Sequence, residues 1–141
     1  MLSFLVFVLV LSILVLFHEF GHFLAAKKNG ILVEEFGLGM PPKVLGKKFG
    51  ETIYSINLFP FGGFVRLRGG DPTESTEADL LDKRSFISKT PAQRLIVVFS
   101  GVIMNFILSA FLFYLFLGFN GFKSSQIPLI FPHEFKFGKV Y

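Results

Sequence analysis

The sequence contains no cysteine. That excludes a disulfide scaffold, thiolate catalysis and any thiolate metal site. Charge is also scarce: Asp, Glu, Lys and Arg make up 17% of the 141 residues, against about 25% in an ordinary soluble domain. No internal repeat is present, and no basic stripe interleaved with aromatics. The net charge of +4 therefore reads as basic residues flanking membrane segments, and no nucleic-acid partner is expected. The length is that of one domain.

Apolar residues, by contrast, make up 52% of the chain, 21 residues are Phe, and mean hydropathy is +0.61. A soluble domain this small lacks the interior to hide that surface. A disordered chain would be poor in aromatics and rich in charge. The composition points to a membrane protein.

Two runs are long enough to cross a bilayer. Leu2 to Ala26 is 25 residues before the first Lys, sufficient for a hydrocarbon core of about 30 Å. A cleaved signal peptide would need a basic stretch before the apolar run, and only Met1 and Leu2 stand there. Leu95 to Phe119 is 25 residues without a charge. Thr90 suits its N-cap, Pro91 its first position and Gln93 a capping box, while Gly118, Asn120 and Gly121 mark its exit. Lys27, Lys28, Lys83, Arg84 and Lys89 all lie between the runs. The positive-inside rule predicts residues 28–91 in the cytoplasm, with the N-terminus and the tail outside.

Between the spans, Ile31–Phe36, Thr52–Leu58 and Phe64–Arg68 read as strands. Gly37-Leu38-Gly39, Pro41-Pro42 and Pro60-Phe61-Gly62-Gly63 read as turns. Asp71 to Asp82 reads as a polar surface loop.

The chemistry-bearing segment is His18-Glu19-Phe20-Gly21-His22. On a helix, positions i and i+4 share a face, so His18 and His22 can offer two imidazoles to one metal ion. Glu19 is close enough to reach a water there. This is the HExxH arrangement of zinc peptidases. Ionisable groups at membrane depth are costly and mark function; the alternative is a polar patch that packs against the second span. In that span Gly101, Asn105 and Ser109 recur every four residues. Asn105 suits either helix packing or a contact to the substrate carbonyl, and Gly101 suits packing. His133-Glu134 has no second His at helical spacing and reads as structural.

HEFGHFLAAKKNGILVEEFGLG, INLFPFGGFVRLRG and SFISKTPAQRLIVVFSGVIMNFILSAF stand in this order over roughly residues 2–121. They resemble the motif helix, the Pro-x-Gly-Gly segment and the Gly-x-x-x-Asn helix of the site-2 proteases, which are intramembrane zinc metalloproteases. The resemblance is to the RseP-type bacterial group. It implies a polytopic membrane α-helical fold with a small re-entrant or cytoplasmic β element between the first two transmembrane helices. The segments are then 2–28 for the helix with HExxH, 29–70 for the β-rich element, 71–90 for a polar loop and 91–119 for the second helix. Residues 120–141 would be the extracytoplasmic start of a PDZ region, with Ile127 to Tyr141 at most one strand of it.

The resemblance further implies Zn²⁺ on His18 and His22, Glu19 as catalytic base, and a multi-pass location in the inner membrane. The substrate would be a transmembrane segment of a membrane-anchored regulator or a signal-peptide remnant, cleaved within the lipid bilayer. A β element around Val33–Ile56 would hold that substrate extended, with Gly37 and Gly39 allowing close approach; plain hairpin turns also account for these glycines. The family's third ligand is an Asp in Leu-Asp-Gly, which this sequence lacks. The chain therefore reads as the N-terminal part of a longer protein, short of a working site alone, with a third ligand from a separate polypeptide as the alternative. A non-catalytic two-helix membrane protein is the competing function, and Glu19 between the two histidines argues against it.

Overall fold

The computed structural model describes residues 1–71, 73 and 75–120. The expectations for 121–141, including His133-Glu134 and a strand over Ile127–Tyr141, lie outside the described residues. The order of elements is α1 (Leu2–Lys28), β1 (Val33–Phe49), β2 (Thr52–Leu67), α2 (Glu77–Leu81) and α3 (Pro91–Asn120).

Helix α1 has 27 residues, about 40 Å at the usual rise. Gly30 ends it with φ +65°. The Gly30 N–H donates to Lys27 and the Ile31 N–H to Ala26, so the last carbonyls are satisfied by a Schellman turn. Helix α3 starts on a capping box: the Thr90 N–H donates to Gln93 Oε1 at 3.2 Å and the Gln93 N–H to Thr90 Oγ1 at 3.4 Å.

Strands β1 and β2 pair antiparallel, but the register doubles back. Phe36 faces both Val65 and Tyr54, and Leu38 faces both Gly63 and Ile56, while Lys43–Phe49 pairs with Thr52–Asn57. Each strand bends in the middle, at Gly39 with φ +82° and at Gly62 with φ +69°, conformations that glycine adopts without strain. The sequence suggested turns at these glycines and prolines. Instead both strands run through them, because each half finds a different partner on either side of its bend. Residues Gly63–Leu67 form an outer segment, paired with Val33–Leu38 alone among the described residues.

The buried core is small: Ala26, Ile31, Val33 and Val97, flanked by Phe23, Val65, Leu67 and Phe86. It sits at the Lys27–Lys28 end of α1. At the same end, Glu51 in the turn between the strands bonds Lys27 Nζ at 2.9 Å and also Arg84. The Arg84 guanidinium, aided by Lys27, pulls the Glu51 carboxyl down to about 2.

Elsewhere the helices bury little. Phe4, Leu5, Phe7, Phe106, Phe113 and Phe116 are all exposed. Both helices are long and apolar enough to cross a membrane, each with a mean hydropathy of 2.5 over its most apolar stretch. A soluble core helix would be mostly buried. Here no residue of that stretch in α1 is buried and only 17% of that in α3. Such continuous apolar surface is stable in lipid and not in water.

Candidate metal centre

Helix α1 divides its side chains between two neighbours. Ser12, Val15 and Glu19 meet β2: Ser12 Oγ donates to the Pro60 carbonyl at 3.0 Å, and Val15 lies against Gly62. The Glu19 carboxylate lies near the Val65 backbone. His18, Gly21 and His22 meet α3. A Cβ on Gly21 would strike the Ser100 carbonyl. The absence of that atom lets the two helices approach closely.

The two imidazoles stand edge to face with centroids 4.8 Å apart. With Glu19 they form the cluster of possible metal ligands among the described residues, their ligand atoms within 4.8 Å of one another. Three consecutive turns of α3 surround the pair. At Val97, the carbonyl oxygen lies 2.7 Å from His22 Nδ1. A carbonyl can only accept, so Nδ1 carries the proton and His22 Nε2 keeps its lone pair. At Gly101, an added Cβ would lie 2.6 Å from His18 Nε2 and 2.7 Å from His22 Nε2. At Asn105, the side-chain amide lies 3.4 Å from His18 Nδ1.

These residues fit a zinc ion. Two Nε2 atoms converge on a space that a side chain would fill. One of them is held in the ligating tautomer by a carbonyl on the far side of its ring, as metal-bound histidines commonly are. A cavity of about 380 Å³ leads away from them, lined by Leu67, Gly70, Phe86, Val97, Val98 and Val102. It shares Leu67 and Gly70 with a larger groove of about 610 Å³ along β2. That groove is lined by no histidine.

Of the residues singled out from sequence, His18, Glu19, His22 and Asn105 come together. Gly101, read as packing, is in the site, because its missing side chain is the space between the imidazoles. Ser109 turns away, donating to the Asn105 carbonyl at 2.9 Å. Gly37 packs on the Phe64 ring and Gly39 against the Phe59 carbonyl. Sequence reasoning missed Val97 and Val65. Val97 lies one turn before Gly101 on the same stripe, but a backbone carbonyl has no signature in residue types. Val65 contributes only its backbone.

Comparison with known proteins agrees with this chemistry. The model of the family described as peptidase family M50 matches residues 6–139. A Clostridium perfringens protein, provisionally named a zinc metalloprotease, is 44% identical over 126 residues, covering 89% of this chain and 36% of the relative. A Campylobacter jejuni protein with a similar provisional name is 38% identical over 135 residues, covering 94% and 36%. The zinc metalloprotease RasP of Geobacillus kaustophilus is 54% identical over 66 residues, covering 47% and 16%. The chain thus spans at most 36% of the length of these relatives.

Proposed function

The chain belongs to peptidase family M50, the site-2 proteases, and from that membership we propose that it carries the His-Glu-x-x-His part of an intramembrane zinc endopeptidase. The observation that supports this most is the convergence of two Nε2 atoms on the gap at Gly101 with Glu19 beside them. A packing role would explain the small residues but has no use for a carboxylate there.

In this reading His18 and His22 hold zinc through Nε2, and a third ligand comes from outside the described residues. Zinc bound there supplies a Lewis acid that acidifies water and polarises the scissile carbonyl. Glu19 takes the proton of the attacking water and delivers it to the leaving nitrogen. The substrate is a transmembrane segment of a membrane-anchored regulator or a signal-peptide remnant. Its helix must open before water can reach a carbonyl, and a strand edge can hold it extended. We assign that edge to Gly63–Leu67, which lies against α1 at Glu19, with Gly37 and Gly39 shaping the sheet behind it. The protein is multi-pass in the inner membrane, with its N-terminus outside and residues 28–91 in the cytoplasm.

The test is cleavage of a transmembrane peptide by the native protein in liposomes. Glu19→Gln should retain zinc and lose activity by about 10²–10⁴-fold. Cleavage by this variant at the parent rate would refute the assignment.

A further inference from the structure

We propose that Asn105 is a positioning residue for His18: its side-chain oxygen accepts the Nδ1 proton and so keeps Nε2 free to bind metal. This rests on the zinc reading for its purpose but not for its geometry.

The two histidines present the same problem, because a neutral imidazole ligates through the nitrogen that lacks the proton. His22 is settled by the Val97 carbonyl at 2.7 Å. His18 lies one turn earlier on α1, and the α3 group beside its Nδ1 is two turns beyond Val97. There the stripe carries the side chain of Asn105. The amide nitrogen of Asn105 stands 3.4 Å from His18 Nδ1, while its oxygen is buried with no hydrogen-bond partner. The oxygen and nitrogen of an amide exchange places by a half turn with almost no change of shape. As placed, the amide nitrogen donates, Nδ1 must accept, and the proton is driven to Nε2. That proton would point at Gly101, where His22 Nε2 also points, and would block a metal. Turned over, the amide gives its unpartnered oxygen a donor and leaves two lone pairs facing the gap. Only the second orientation satisfies the buried oxygen and makes both histidines alike.

Asn105 therefore does for His18 what a backbone carbonyl does for His22. The group that α3 presents beside His18 Nδ1 is the Asn105 side chain, while the Asn105 carbonyl accepts the Ser109 hydroxyl at 2.9 Å. This differs from a substrate contact, which would direct the amide toward a peptide and leave the tautomer of His18 unset.

Two measurements on the native protein decide the matter. Nitrogen-15 NMR of labelled histidine in the metal-free protein should show His18 protonated at Nδ1. Protonation at Nε2 would overturn the proposal without any variant. Chelator competition should then show zinc affinity falling about 10–100-fold in Asn105→Leu. In Asn105→Asp, which keeps an acceptor oxygen, it should stay within a few-fold of the parent. Equal losses in both variants, or parent affinity in Asn105→Leu, would refute a positioning role. Absence of zinc from the parent would instead refute the zinc reading, leaving the His18 tautomer to decide this one.

Discussion

The Cα of Gly101 faces the His18 imidazole so closely that a single added methyl group would lie 2.6 Å from Nε2. Glycine at this position therefore makes room for the two imidazoles. Gly101→Ala forces either the rings or the helix to move, at about 1–3 kcal/mol. Zinc affinity should fall about 5–150-fold, with activity falling alongside. Ser109→Ala, on an exposed position of the same helix, should leave both unchanged. Chelator competition on the two variants checks this.

The Val65 backbone, in the outer segment of the sheet, lies near the Glu19 carboxylate, and its N–H is a candidate donor to it. Val65→Pro removes that N–H. Zinc content should be unchanged and kcat/KM should drop by about 10²-fold, the lower end of what a general base contributes. Val65→Ala keeps the N–H and should stay near the parent rate. Equal losses in both would show that side-chain packing, and not the donor, matters.

Glu51 ties the turn between β1 and β2 to Lys27 and Arg84. Its carboxyl is lowered from 4.5 to about 2 by Arg84 and Lys27. The folded value lies below the unfolded one, so the tie is fully present above about pH 4.5 and is lost as pH falls through about 2. Hydrogen exchange of residues 46–55 should be faster in Glu51→Gln than in the parent at pH 7. The difference should vanish near pH 2. Because the pair is exposed, it should also shrink in high salt.

The proposed orientation is open to labelling, because residues 1–141 contain no cysteine to mask an introduced one. Cysteines at Lys47 and Glu77 should resist a membrane-impermeant reagent applied from outside and react after permeabilisation. Labelling of either position in intact cells would reverse the orientation.

Much of the site could be read without a structure because it is local. His18, Glu19 and His22 lie within five residues of one helix, and helical geometry alone puts two imidazoles on one face. The capping box at Thr90 and Gln93 is equally local. The strands were harder. Ile31–Phe36 and Thr52–Leu58 were visible, but the runs through Gly39 and Gly62 were not, since glycine and proline mark both bends and turns.

The sequence alone determined the membrane character, because hydropathy is a sum over residues, and the candidate ligand pair, because its spacing is a helix period. Only the tertiary structure decided what surrounds that pair. The register of α3 on α1 brings Val97, Gly101 and Asn105 to His22 and His18 across 75 to 87 residues of chain. The tertiary fold likewise brings the Val65 backbone near Glu19. Such registers depend on which small residues let two backbones approach, here Gly21 against Ser100 and Gly101 against the imidazoles. That choice belongs to the packed pair of helices and is encoded in neither one alone.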